Sequence, residues 1–322
     1  MIGEGGEEPP ACDRNWAELQ RDVLMVIFLK IGLMEVLRAT GSVCRSWRKV
    51  AKEEPDLWRS IDMTNHGYGS DAFLLTDPTR LAIDRSGDRL EEFSVEYFGD
   101  ADLLQYLCDR TSVLKRLCLI SCYQLSDEAI AETAKRQPLL EEVQITFGSF
   151  SEKVTEVVGK ECPQLKSFKL NNTWFSVPPP DPDDDEEVSD DVEALGIAKT
   201  MHQLRHLQLI GNRLTNEGLK AILDGCPHLE TLDIRRCYNV IMDADMRARC
   251  ARLKTTRFPG DSVDDYEFEA DADREYCSDD EFFPELDYDY YYDYDDDFEN
   301  YVLDFEDIFD DDDEDDELGY MF

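Results

Sequence analysis

Between Trp16 and Met63 the apolar residues return at helical spacing. Leu19, Val23, Ile27 and Ile31 recur every fourth position, and Leu24 and Phe28 repeat that step on the adjoining face. Met25, Val26 and Leu29 then leave almost no polar side. A helix that is apolar all round is expected to be buried all round. Gly32 suits its C-terminal end. Val43, Trp47 and Val50 mark a further apolar stripe, with Arg45, Arg48, Lys49 and Lys52 on its wetter side. So short a segment hides only a modest share of its surface. The pattern therefore predicts a compact helical module with surplus apolar surface, the usual mark of a docking site.

A different pattern begins at Leu90. The units are Leu90-x-x-Phe93-x-Val95, Leu114-x-x-Leu117-x-Leu119, Leu140-x-x-Val143-x-Ile145, Leu165-x-x-Phe168-x-Leu170, Leu204-x-x-Leu207-x-Leu209 and Leu229-x-x-Leu232-x-Ile234. Their starts lie 24, 26, 25, 39 and 25 residues apart. The long gap is one period plus an insertion that carries Pro178, Pro179, Pro180 and an acidic run. Leu253 to Phe258 reads as a worn final unit. This period and signature are those of a leucine-rich repeat, in which a short strand is followed by a returning segment, read here as a helix.

Ser126 and Thr215 are suited to cap two of those helices. Cys162-Pro163 and Cys226-Pro227 occupy equivalent points before the next strand. Cys122, Asn212 and Cys237 fall in the turn after a strand, where a small side chain can satisfy buried backbone groups. Alternate strand residues face away from the core. They include Arg116, Ile120, Gln144, Lys169, His206, Gln208, Ile210, Asp233 and Arg235, the candidate contacts for a partner on the concave face that solenoids use for binding. Six units at about 4.8 Å per strand span roughly 25 Å, room for one helix or loop.

The run Leu19, Asp22-Val23-Leu24, Ile27, Val43-Cys44-Arg45-Ser46-Trp47-Arg48, Leu57-Trp58, Ile61 resembles an F-box. It looks most like the F-box of plant F-box proteins that carry cysteine-containing leucine-rich repeats. The resemblance is close over 16–63 and extends through the repeats to about residue 258. It implies an α/β chain: a three-helix F-box at 16–63, a linker and repeat cap at 64–89, and a short solenoid of strand-plus-helix repeats at 90–260. An acidic insert at 177–191 interrupts the solenoid. Disordered segments at 1–15 and 261–322 flank the folded part. The resemblance also implies that the F-box docks on the Skp-type adaptor of a cullin–RING ubiquitin ligase and that the repeats hold a target protein. The adaptor contacts it implies are Leu19, Leu24, Ile27, Val43, Cys44, Trp47 and Trp58. The family has proline where Gln20 stands. Proline is pre-set for a helix start, so its loss implies a looser first turn and weaker adaptor binding.

Charge separates the folded part from the rest. Of the formal net charge of −41, residues 261–322 carry −29 and residues 181–191 carry −8. The remainder is close to neutral and lacks the basic footprint of nucleic-acid binding. Blocks of like charge repel and stay extended. The alternative function is an acidic binding protein or scaffold whose tail takes basic partners such as histones. No run of 18 apolar residues exists, so no membrane span is expected. Met1 to Pro10 lacks a signal-peptide pattern. The ten scattered cysteines read as reduced thiols of the cytoplasm or nucleus. Cys118 and Cys122 have no second pair to complete a zinc set. Cys226-Pro-His228 is not repeated at Cys162-Pro-Gln164. Gly211 to Gly218 lacks the ending of a phosphate loop. The expectation is no cofactor, no metal and no catalysis.

Overall fold

The computed structural model describes residues 16–66, 73–148, 152–171 and 191–266. The expected segment at 1–15 and the insert up to residue 190 lie outside the described residues, as does the expected tail at 261–322 except for 261–266, which are ordered against the last repeats.

A 3₁₀ turn at Trp16–Glu18 leads into α1 (Arg21–Ile31), α2 (Leu33–Val43) and α3 (Arg45–Glu53). Gly32 separates the first two helices with φ 91°, a region that side chains disfavour. Gln20 keeps φ at −65°, and its carbonyl accepts from the Val23 and Leu24 amides at 3.0 and 3.1 Å. The first turn is therefore closed without proline, and its geometry is not loosened. Proline acts at the end of α3 instead. Pro55 has no N–H to give the Ala51 carbonyl four residues back. The indole Nε1 of Trp58 supplies that donor at 3.0 Å.

Strands and helices then alternate. They are β1 (Ser60–Met63), α4 (Thr76–Ser86), β2 (Glu92–Glu96), α5 (Ala101–Arg110), β3 (Arg116–Ile120) and α6 (Asp127–Arg136). After these come β4 (Glu142–Thr146), α7 (Glu152–Glu161), β5 (Ser167–Asn171), α8 (Val192–Thr200), β6 (His206–Gln208), α9 (Asn216–Gly225), β7 (Thr231–Asp233), α10 (Ala244–Cys250) and β8 (Thr255–Arg257). Among the described residues the eight strands form one parallel sheet in sequence order. Every strand starts opposite the start of the next, from Ser60 and Glu92 through to Thr231 and Thr255.

That register shows that the array begins earlier than the leucine pattern predicts. Trp58-x-x-Ile61-x-Met63 is the first unit, with Trp58 in the place of the leading leucine. All three are buried at 0 to 1% exposure. The stretch 64–89 is therefore more than a linker, because α4 is the returning helix of this first repeat and buries Ala82 and Ile83. Its Arg85 guanidinium stacks 5.2 Å from the Trp58 ring centre, and burial lowers that group's pKa to about 10. Leu253 opens a real final repeat. Seven spacings of about 4.8 Å make the sheet about 34 Å wide.

Five residues after the starts of β1, β2, β3, β4, β6 and β7, the backbone turns left-handed: Asn65, Tyr97, Ser121, Phe147, Gly211 and Arg236 have φ between 51 and 69°. Only one is glycine; the amides of Tyr97, Ser121, Phe147, Gly211 and Arg236 each bond to a carbonyl of the next repeat, and the residue next after the turn adds a second tie in three of the units. At that next position, Cys122, Asn212 and Cys237 donate to the carbonyls of Val95, Leu170 and Leu209 in the preceding repeat, at 3.9, 2.7 and 2.8 Å. These buried bonds lock consecutive repeats together. Asp100, Ser126, Thr215 and Asp243 cap the helices beyond the turns, each accepting from a backbone amide of the first turn.

Just before each strand a charged residue faces its neighbours. Glu91 bridges Arg59 at 2.7 Å and Lys115 at 3.1 Å. Glu141 pairs with Lys166 at 2.7 Å, and Glu230 joins Arg205 and Lys254. The signs alternate along the array except where Lys166 meets Arg205.

Candidate protein-interaction site

The first face is helical. α1 packs one side inward, burying Leu24 and Phe28 at 0 and 1% exposure. Phe28 meets Trp47 edge-on at 5.4 Å between ring centres, and Trp47 Nε1 donates to the Trp16 carbonyl at 3.0 Å. Arg21 and Glu54 tie α1 to the end of α3 by a paired ion contact. The opposite side of α1 is left apolar and open: Val23, Val26 and Leu29 are 44, 54 and 64% exposed. Ile31, Val43 and Trp16 are exposed too. The expectation of a helix buried all round is thus corrected. Two further helices and a 3₁₀ turn enclose only one side of α1, and the apolar character of the other side is surplus.

This rearranges the implied contacts. Leu19, Ile27, Cys44 and Trp47 are partly exposed and Val43 is exposed, so all five remain available to a partner. Leu24 and Trp58 are fully buried and cannot touch one. Leu24 is the core anchor of α1, and Trp58 is the first repeat residue. Val23, Val26 and Leu29 were legible as apolar positions but not as surface, because periodicity does not say how many neighbours a helix has.

The second face is the side of the sheet away from the helices. Its side chains form one polar relay across the repeats. Ser60 donates to Glu92 at 3.0 Å. Arg116 lies between Glu92 and Glu142, 4.0 and 2.9 Å away. Lys169 reaches Glu142 at 3.8 Å and Gln144 at 3.0 Å. Gln144 donates to Thr146, and Asn171 to both Thr146 and Gln208, at 3.5, 3.4 and 3.0 Å. Gln208 donates to Asp233 at 3.2 Å, and Arg235 to Asp233 at 2.7 Å. Beside it, His206 pairs with Thr231 at 2.9 Å.

Six of the nine candidate contacts, Arg116, Gln144, Lys169, Gln208, Asp233 and Arg235, are therefore members of one network. All but Arg235 are bonded to a residue of a neighbouring strand, and Arg235 is held by Asp233 of its own repeat. A ligand here exchanges hydrogen bonds rather than filling empty ones, so specificity outweighs raw affinity. The other three differ. His206 is exposed, while Ile120 and Ile210 are 2 and 1% exposed. Those two isoleucines, with Thr146, Asn171 and Arg235, occupy the last concave position before the left-handed turn, and that whole row is buried. Ile120, Ile210, Gln144 and Arg235 are thus corrected from open contacts to residues that shape the floor.

Among the described residues no group of His, Cys, Asp and Glu side chains is arranged to hold a metal, and no helix is long and apolar enough to cross a membrane.

No protein-family model matches the chain. Proteins of Arabidopsis thaliana do, among them the following three. F-box protein SKIP19 is 41% identical over 83% of this chain and 86% of its own length. F-box/LRR-repeat protein 22 is 40% identical over 82% of each. F-box/LRR-repeat protein 23 is 41% identical over 78% of this chain, which spans only 55% of that relative. A chain of the solved yeast Rad7 and Elc1 complex matches 69% of this chain and 63% of its own, at 16% identity and a TM-score of 0.38, too loose a likeness to bear on fold or function. With exposed helical and concave sheet faces on one chain, and relatives at this identity along most of its length, the protein belongs to the plant F-box/leucine-rich-repeat family.

Proposed function

We propose that the chain is the substrate-recognition subunit of an SCF-type cullin–RING ubiquitin ligase, acting in the cytoplasm or nucleus. The helical face seats on the Skp-type adaptor and, through it, joins the cullin and RING proteins. The concave face holds a target protein for ubiquitination. The mechanism is proximity: two binding faces on one chain turn a bimolecular encounter into a local one. The chain contributes no chemistry of its own, which resides in its partners.

The observation that carries this reading is the open apolar side of α1. Val23, Val26 and Leu29 lie on a helix whose other side is already packed, so their exposure serves a partner and not the fold. The test is capture of a purified Skp-type adaptor by the full chain. Val26→Asp with Leu29→Asp leaves unfolding unchanged, since both side chains are solvated, and abolishes capture. Undiminished capture by that variant would exclude the helical face. Binding that resides only in residues 261–322 and fades as salt rises would support the acidic-scaffold alternative.

A further inference from the structure

The concave relay does not stop at the last strand. After β8 the chain turns back, and Ser262 and Asp265 lie against Arg235, just past β7, and Arg257, at the end of β8. Arg235 Nη1 donates to the Ser262 carbonyl at 2.9 Å and to the Asp265 carboxylate. Arg257 Nη2 donates to the second Asp265 oxygen at 2.6 Å. Arg235 leads in holding the Asp265 carboxyl below its ordinary pKa range. The two arginines stand at the ends of adjacent strands. The Arg235 side chain is 4% exposed and committed on its inner edge to Asp233. Its remaining N–H groups point at a carboxylate delivered from outside the repeats. That carboxylate is itself 52% exposed, so the grip is tight on the arginine side and open on the acid side.

A planar guanidinium held in place beside a second one is a receptor for carboxylate, with geometry as well as charge setting the preference. The chain itself supplies a charge-matched occupant. Asp265 opens an acidic stretch that continues toward the chain's last residue, and a tethered acid competes with any free one at high local concentration. We propose that the Arg235–Arg257 corner is a carboxylate-recognising subsite of the target face, filled in cis by Asp265, and that targets engage it through an acidic segment that exchanges with residues 261–266. This rests on the receptor reading above, and it names the chemistry that the reading leaves open.

The test uses the full chain with a protease site placed between Gly260 and Asp261, cut after folding and freed of the released segment in high salt. The probe is a fluorescein-labelled peptide of residues 261–270, and its Asp265→Ala form is the control. The cut chain binds the peptide about tenfold more tightly than the uncut chain, because the tethered competitor is gone. Arg257→Ala, whose side chain is 44% exposed and therefore safe for the fold, weakens binding about fivefold, as does the control peptide. Equal binding by cut and uncut chains, no binding by either, or indifference to Arg257→Ala would overturn the proposal. Adaptor capture is scored on the same samples and reports the fold. Its loss alongside intact peptide binding counts against the receptor reading and leaves the corner standing.

Discussion

Trp58 offers the sharpest test of how the helical module joins the solenoid. Its ring fills the first leucine position of the array, and its Nε1 replaces the donor that Pro55 withholds from Ala51. Trp58→Phe keeps an aromatic ring but removes the donor. The Ala51 carbonyl is then buried without a partner, at a cost of about 1–3 kcal/mol. The smaller ring leaves a void worth about 1 kcal/mol more. The expected loss is about 2–4 kcal/mol. Pro55→Ala alone should cost only about 0.4–1 kcal/mol, through a freer unfolded chain. In the Trp58→Phe background, however, the new N–H at position 55 can reach the orphaned carbonyl. The two substitutions together should therefore cost less than their sum by about 1 kcal/mol or more. Urea unfolding followed by far-UV circular dichroism reads each corner of this cycle at constant slope. Strict additivity, or a Trp58→Phe chain within about 0.5 kcal/mol of the parent, would refute the account.

Gln20→Pro should stabilise the chain by about 0.4–1 kcal/mol, since φ is already −65° there; a fall in the urea midpoint would show that the amide of residue 20 is needed. Glu156 lies between Lys199 of α8 at 2.8 Å and Lys160 at 3.0 Å, which bring its pKa down to about 2. A carboxylate with a depressed folded pKa stabilises fully above its ordinary range and loses that contribution as pH falls toward about 2. The difference in Tm between the parent and Glu156→Gln should accordingly be flat near neutrality and close below about pH 4.5, and a gap that persists to pH 2 would contradict it. Burial pushes the thiols of Cys122, Cys162 and Cys237 up to about 12. Among the described cysteines, a native iodoacetamide pulse read by mass spectrometry should label the half-buried Cys44 and Cys118 first, and equal labelling of Cys122 would show that the repeat junctions open.

The repeats from Leu90 to Leu229 were readable because each spends three apolar residues on one buried row, and that row repeats at a nearly constant period. Trp58 escaped the same reading. An aromatic stood where leucine was expected, and the motif it shares with the helical module offered a competing assignment. The open side of α1 was unreadable for another reason. Apolar periodicity records which residues can be buried, whereas Val26 and Leu29 are exposed because only two further helices and a 3₁₀ turn surround them. On the concave face, alternation put Ile120 and Ile210 on the correct side of the sheet, but the left-handed turn beyond them closes that end of each strand. The burial of Arg235 depends on Ser262 and Asp265, in a segment whose acidity suggested a solvated tail or a tail for basic partners and not a contact with the repeats.

The row of charges ahead of the strands carries a further consequence. Opposite signs meet at most steps, but Lys166 and Arg205 are alike, and the insertion separates them. From there the strand pairing also narrows, from five matched residues between β4 and β5 to three between β5 and β6, and it stays at three through β8. Like charges and a long connection thus coincide at one joint, and the ties that hold it lie elsewhere: Lys199 of α8 bridges Glu156 of α7 at 2.8 Å, and Asn212 reaches back to the Leu170 carbonyl at 2.7 Å. The helix layer therefore offsets what the strand edges oppose, so under heat or pulling force the integrity of this joint should depend on Glu156.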